Sequence, residues 1–309
     1  MDVLCVGIAA LDIYARPVTD QVFQRETMRV EQIGISGGGD ALNQAVVLRA
    51  LGSRSALIAR IGKDSTGDIL MERVEAAGVD VSMVCRSMQS TTTTAIALVG
   101  PDGRRNILNV KGGNYDFDRN DIHFDKLPEA RALSVGSIFG LQALERDGGL
   151  LDLLRLAKDR GMLTFADMSS DKLGQRIGGV LQYFPYLDYY MPSAAEAEAI
   201  TGERQLLEQV RVLREHGCGN LLIKLGGDGV YLGADGYDEV IPAYSVCPID
   251  TTGAGDTFCA AFIHGKLRGY DTKKACCFAA AAGALSTQYA GASASPPSEQ
   301  EVLDMMGRE

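Results

Sequence analysis

The chain contains no tryptophan, only three histidines and nine prolines, and fewer basic than acidic residues, 30 against 40. The missing tryptophan excludes no chemistry. His123, His216 and His264 fall at unrelated positions with no partner pattern, which assigns them to structure rather than catalysis. A net charge of -10 with scattered Lys and Arg argues against a nucleic-acid partner, since a phosphate backbone needs a clustered basic face. The seven cysteines (Cys5, Cys85, Cys218, Cys247, Cys259, Cys276, Cys277) are odd in number and show no C-x-x-C spacing. Neither a zinc site nor a disulfide framework is indicated, and reduced thiols in a cytoplasmic protein are expected. Met1 to Ala10 is apolar but carries Asp2 and no basic flank, so it reads as a first strand rather than a signal peptide. The longest apolar stretch, Ala275 to Leu285, is too short to span a bilayer, and no membrane role is expected. No Walker A, G-x-G-x-x-G or G-x-S-x-G motif occurs, which argues against a P-loop NTPase, a dinucleotide oxidoreductase and a serine hydrolase.

What is present is an ample core, 46% of 309 residues being hydrophobic, and a regular alternation of elements. Strands are expected at Val3 to Ile8, Ser55 to Ile61, Ala132 to Val135, Met162 to Ala166, Leu187 to Met191 and Leu221 to Lys224. Helices are expected at Asp40 to Leu51, Ser65 to Ala77, Gly148 to Arg160, Ala194 to Thr201 and Arg204 to His216. Such alternation predicts an α/β fold, a doubly wound and mostly parallel sheet with helices on both faces. Residues 13–35 and 92–112 break the rhythm, the second as a β-hairpin about Gly100-Pro101-Asp102-Gly103. No Pro-rich linker or internal repeat divides the chain, so residues 1–309 are expected to form one domain.

The most informative run is Asp250-Thr251-Thr252-Gly253-Ala254-Gly255-Asp256-Thr257-Phe258. Small residues at the mouth of a helix let a ligand approach the backbone, and the unpaired N–H groups of the first turn attract an anion. Asp256 would repel that anion. Its presence makes sense if it accepts a proton from a hydroxyl attacking a phosphoryl group, or if it only complements the helix dipole.

Further motifs follow the same two-sided logic. Ser36-Gly37-Gly38-Gly39-Asp40-Ala41-Leu42-Asn43 places glycines at a helix start, where Gly38 and Gly39 allow close approach and Asn43 can bond sugar hydroxyls; an ordinary capped helix explains the same residues. Asp12, after the first strand, reads as a helix or turn cap. Ser193 and Glu196 read as a capping box. Lys224-Leu225-Gly226-Gly227-Asp228-Gly229 reads as a strand followed by a tight glycine turn, with a hairpin over Val230 to Val240.

Taken in order along almost the whole chain, these motifs resemble the ribokinase, or PfkB-type, carbohydrate kinase family. The resemblance implies a ribokinase-like fold whose small β-sheet lid, built from about 13–35 and 92–112, covers the sugar site and in many relatives forms the contact of a homodimer. It implies an ATP-dependent kinase acting on a primary hydroxyl of a small sugar or sugar acid, with Mg2+ bridging the ATP phosphates. Asp256 would be the base and Gly253, Ala254 and Gly255 the anion cradle. Asp12, Gly38, Gly39 and Asn43 would bind the sugar, while Lys224, Gly226, Gly227, Gly229 and Thr252 would bind the nucleotide. Glu196 would organise magnesium through water. Asp250 and Thr252 with Ser295 could complete a potassium-type cation site, although small residues packed between helices explain Ala290 to Ser295 equally. Asp167 matches the family's motif on the phosphate side, whereas Ser169 and Ser193 stand where relatives carry Asn, and Asp40 stands where ribokinase has Lys. Arg104-Arg105 and Gly112-Gly113-Asn114 match the lid strand and its exit. Two other readings stay open: a nucleoside kinase of the same fold, with Tyr14, Tyr115 or Phe139 as stacking partners, and a sugar- or nucleotide-binding regulator without catalysis.

Overall fold

A computed structural model describes residues 1–101, 104–289, 291 and 295–307. Asp102 and Gly103 of the expected hairpin turn, and Ala290, Ala292, Ser293 and Ala294 of the tail, lie outside the described residues.

The strands are β1 Val3–Val6, β2 Ala10–Arg16, β3 Gln32–Gly38, β4 Ser55–Gly62, β5 Val84–Ser87, β6 Thr94–Val99, β7 Arg105–Val110, β8 Ala132–Ile138, β9 Leu163–Met168, β10 Tyr189–Tyr190, β11 Leu221–Lys224, β12 Val230–Gly233 and β13 Glu239–Ile241. The helices are α1 Asp40–Ala50, α2 Ser65–Ala76, α3 Gln142–Arg146, α4 Gly149–Asp159, α5 Ile177–Val180, α6 Ala194–Thr201, α7 Leu206–Glu215, α8 Ala254–Leu267, α9 Thr272–Ser286 and α10 Glu299–Met306. Nine strands form the main sheet in the order β13-β12-β11-β10-β9-β8-β1-β4-β5, parallel except for the antiparallel hairpin edge β11-β12-β13.

Every residue of β1 is buried, and the pleat sends its side chains alternately to two cores. Val3 and Cys5 join the core under α1, α8 and α9, whereas Leu4 and Val6 join the one under α4, α6 and α7. A continuous apolar run therefore marks a strand covered on both faces, as expected. Small residues let α8 and α9 pack closely: a Cβ on Gly265 would lie 3.1 Å from that of Ala275.

The lid is a separate sheet in the order β3-β2-β6-β7. It is longer than the expected segments, since β2 begins at Ala10 and β3 runs to Gly38. The first main strand is correspondingly shorter than the expected Val3 to Ile8: Gly7 ends it, and Ile8 N–H turns to Asp40 Oδ1 at 3.1 Å. Asp12 thus lies inside a lid strand, opposite Ser36 and Ala95, and caps no turn. Along β2, Asp12, Tyr14 and Arg16 share the face toward the body. The opposite face leaves Ile33, Ile35, Ile96, Leu108 and Val110 exposed. Strand β5 and helix α10 are additions that the alternation did not signal.

Candidate active site

Two adjoining cavities open at the carboxyl ends of the parallel strands, where ligands collect in open α/β sheets. One, of about 1130 Å³, is bounded by the start of α8, the ends of β9 and β11, and residues of α9. The other, of about 970 Å³, lies between the lid and residues 248–252. Asp12, Thr251 and Thr252 border both.

The turn into α8 is built as its residues predict. Gly253 caps the helix with φ +76°, the left-handed conformation that glycine adopts without a Cβ penalty. Ala254 N–H reaches Thr251 O at 3.3 Å, whereas the N–H groups of Gly255 and Asp256 meet no acceptor outside the helix among the described residues. Asp256 is half-buried in the cavity wall and accepts a 2.7 Å hydrogen bond from Asn43 Nδ2. Burial holds its carboxyl above the usual carboxylate range, against the pull of that hydrogen bond and of Lys224. A base lifted in this way binds a proton better while remaining in the open cavity.

Four more carboxylates, Asp12, Asp40, Asp167 and Glu196, face the same space. Burial and the charge of Asp256 push Asp12 up to about 6 and raise Asp40 well above its usual range. Asp167 is raised to about 6, again by burial first and against the ammonium of Lys224, with which it is paired. Lys224 is therefore engaged with a carboxylate, although its amine lies 3.4 Å from where a Cβ on Gly255 would be, beside the expected phosphate cradle. Its charge is stabilised further by Asp167 despite the burial. Cys259 Sγ donates to the same Asp167 oxygen at 3.3 Å, and burial keeps it a thiol.

The expected glycines divide by function. Gly226 and Gly227 border the cavity with open space where a Cβ would stand, so a ligand can reach their backbone. Gly229 is needed by the hairpin itself, with φ +101° and Ile241 O 2.0 Å from a Cβ position. The space beside Gly38 holds the Asp12 carboxylate, 2.2 Å from a would-be Cβ, and that beside Gly39 holds Ile8 O. These two glycines seat Asp12 and the chain against each other, and Gly39 also borders the larger cavity.

Glu196 borders the larger cavity, and its Oε2 accepts from Ser193 N–H at 2.7 Å in a capping box, so the structural reading of that pair holds. Its second oxygen leaves capacity for a magnesium-bound water, the kind of indirect carboxylate contact that ion accepts. Among the described residues no group of three or more His, Cys, Asp or Glu side chains is placed to hold a metal directly. Asp250 Oδ1 accepts from Thr252 N–H at 2.9 Å and from Thr252 Oγ1 at 2.6 Å, so these two residues meet. Ser295 is exposed and borders neither cavity.

Of the aromatic candidates, Tyr14 borders the lid cavity. Phe139 is packed in the core at 5% exposure, and Tyr115 borders neither cavity, its ring lying under Lys111. Asn114 clamps Ala9 and Thr93 instead of facing ligand. Tyr244, Val246 and Ala280 complete the wall beside α8 and carry no motif of their own, whereas Gly283 and Ala284, also in that wall, fall in the run 282–286 that the family resemblance puts on the adenine side.

A carboxylate beside unpaired helix N–H groups in one cleft, bordered by a small separate sheet, fits a phosphotransferase of the α/β class. Residues 1–299 match the pfkB family carbohydrate kinases, and the chain belongs to that family. A ribokinase from Haemophilus influenzae is 28% identical over 292 residues, covering 91% of this chain and 90% of its own. The solved ribokinase of Thermotoga maritima superposes with a TM-score of 0.81 at 25% identity, covering 99% of both chains. An E. coli structure in complex with ATP and Mg2+ superposes with a TM-score of 0.87 at 21% identity, covering 100% of this chain and 99% of that one. The chain is a sugar kinase, which sets aside the reading as a regulator without catalysis.

Proposed function

We propose that the chain transfers the γ-phosphoryl group of ATP to a primary hydroxyl of a small sugar or sugar derivative held between Asp12 and Asp256. The observation that carries this is the position of the Asp256 carboxylate at the mouth of α8, beside unpaired N–H groups and in the cavity shared with Asp12. Asp256 takes the proton of the attacking hydroxyl. The N–H groups of the 253–255 turn face the charge growing on the transferred phosphoryl, which is the larger part of the acceleration. Gly226, Gly227 and Thr252 border the nucleotide, and Lys224 answers its phosphate charge. Mg2+, held at a distance by Glu196 through water, neutralises phosphate charge when bound. Asp250 and Thr252 support a monovalent cation beside the cradle without Ser295.

The exposed aliphatic face of the lid, Ile33, Ile35, Ile96, Leu108 and Val110, supports homodimerisation, since a second copy would cover it. Among the described residues no helix is long and apolar enough to cross a membrane, and the reading places the enzyme among soluble metabolites of the cytoplasm.

The experiment is ADP release from ATP and Mg2+, with and without K+, over ribose, fructose, a 2-keto-3-deoxy sugar acid and a nucleoside. Turnover of a sugar carries the proposal. ATP binding with no turnover on any acceptor removes it.

A further inference from the structure

Apart from Lys224, which is paired with Asp167, the described side chains around the reacting carboxylate present mainly hydrogen-bond acceptors. Asp12 borders both cavities and receives no hydrogen bond from a described residue. Asp40, the first residue of α1, commits Oδ1 to Ile8 N–H at 3.1 Å and Ala41 N–H at 2.6 Å, and its Oδ2 meets no donor among the described residues. Asn43 is 4% exposed; it spends Nδ2 on Asp256 and leaves Oδ1 without a partner. That amide oxygen is closed off from solvent, so the acceptors bordering the cavity are those of Asp12, Asp40 and Asp256. Among the described side chains, the two cations that border these cavities are engaged. Lys224 is held by Asp167, and Arg16 lies four residues beyond Asp12 on β2, about 13 Å away at the rise of a strand, with its Nε on Gln32 Oε1.

We infer that the acceptor site selects substrates rich in hydrogen-bond donors and free of negative charge, neutral or amino-bearing polyols, and that Asp40 is the specificity-determining residue that turns away a carboxylate-bearing sugar. This rests on the phosphotransfer reading above and narrows its acceptor. Hydroxyl or ammonium groups satisfy Asp12 and Asp40 Oδ2. A ligand carboxylate in the same place meets the carboxylates of Asp12, Asp40 and Asp256, a like-charge juxtaposition that specific sites use to refuse a competitor.

The test is kcat/KM by ADP release with matched acceptors: ribose, fructose and glucosamine against ribonate and gluconate. The best neutral or amino sugar should exceed the best acid by about a hundredfold or more. Asp40→Asn keeps an oxygen for the two backbone N–H groups and removes one charge, so it should narrow that ratio about tenfold, chiefly through a lower KM for the acid. An acid as the best acceptor, or an unmoved ratio in folded Asp40→Asn, overturns the inference while leaving the kinase reading intact. The wild-type ratio decides by itself should the variant not fold. Silence on every acceptor overturns both readings.

Discussion

Asn43 Nδ2 donates to Asp256 Oδ2 at 2.7 Å across 213 residues of sequence, so the N-termini of α1 and α8 converge on one carboxylate. The hydrogen bond favours the ionised form of Asp256 against the burial that opposes it. The base is thereby aimed and kept available at once.

Replacing the carboxylate tests its role. Asp256→Asn preserves the shape and removes the proton acceptor, so turnover should fall by roughly 10²- to 10⁴-fold. ATP affinity measured by calorimetry should stay within about tenfold, and a fully active variant would take the residue out of the mechanism.

Loss of the aiming amide should appear in the pH profile. With Asp256 as the proposed base, catalysis needs its ionised form, so activity should fall as pH drops through its raised value. Asn43→Ala removes a hydrogen bond to the charged form and should move the acid limb of kcat to higher pH. An unchanged or downward-shifted limb would contradict the assignment.

The Lys224–Asp167 pair is buried, with side chains 13% and 6% exposed. Removing one member leaves the other charge without a partner, so Lys224→Met should cost about 3–5 kcal/mol in a denaturant titration. A further Asp167→Leu change should recover part of that loss. An additive double variant would mean the pair is not coupled.

His264 ties α8 to its neighbours, with Nδ1 2.8 Å from Ser53 Oγ and Nε2 3.4 Å from Glu299 Oε1. Burial lowers its pKa, against the opposing pull of Glu299, so the folded state disfavours the imidazolium. A lowered value contributes stability that is present above the unfolded value of about 6.5 and is lost as pH falls below it, at no more than about 1.4 kcal/mol per pH unit. Asp12, Asp167 and Glu145, raised to about 6, 6 and 7, work in the opposite sense over the same window. The comparison is therefore with His264→Gln, whose stability should fall less between pH 7 and 5; equal slopes would remove the effect.

The outer face of the lid offers a test of assembly. Ile35, Ile13, Ile96 and Leu108 lie in register across its four strands. Ile96→Glu places a charge in the middle of that row and should convert a dimer to a monomer in sedimentation velocity, with little loss of thermal stability. A wild-type chain that sediments as a monomer would end the dimer proposal.

The sequence by itself determined the parts whose signal is local. The doubly wound sheet was legible because each strand is a continuous apolar run and each helix carries its own period and stop, and the α8 turn because only small residues and glycine suit a ligand at a helix mouth. Short polar-flanked elements such as β5, and helices such as α10 that lean on the rest of the fold, carried no comparable signal.

Only the tertiary structure decided what those local pieces face. Gly38 had the letters of a ligand-approach residue, yet its space belongs to the Asp12 carboxylate. Phe139 could have been a stacking ring, and it is core. Asp40 stood out only as a departure from a motif until folding brought it beside Asp12, Asn43 and Asp256. Mutual repulsion, desolvation and an unsatisfied amide are properties of groups distant in sequence, and they exist only after the chain has brought those groups within a few ångströms of one another.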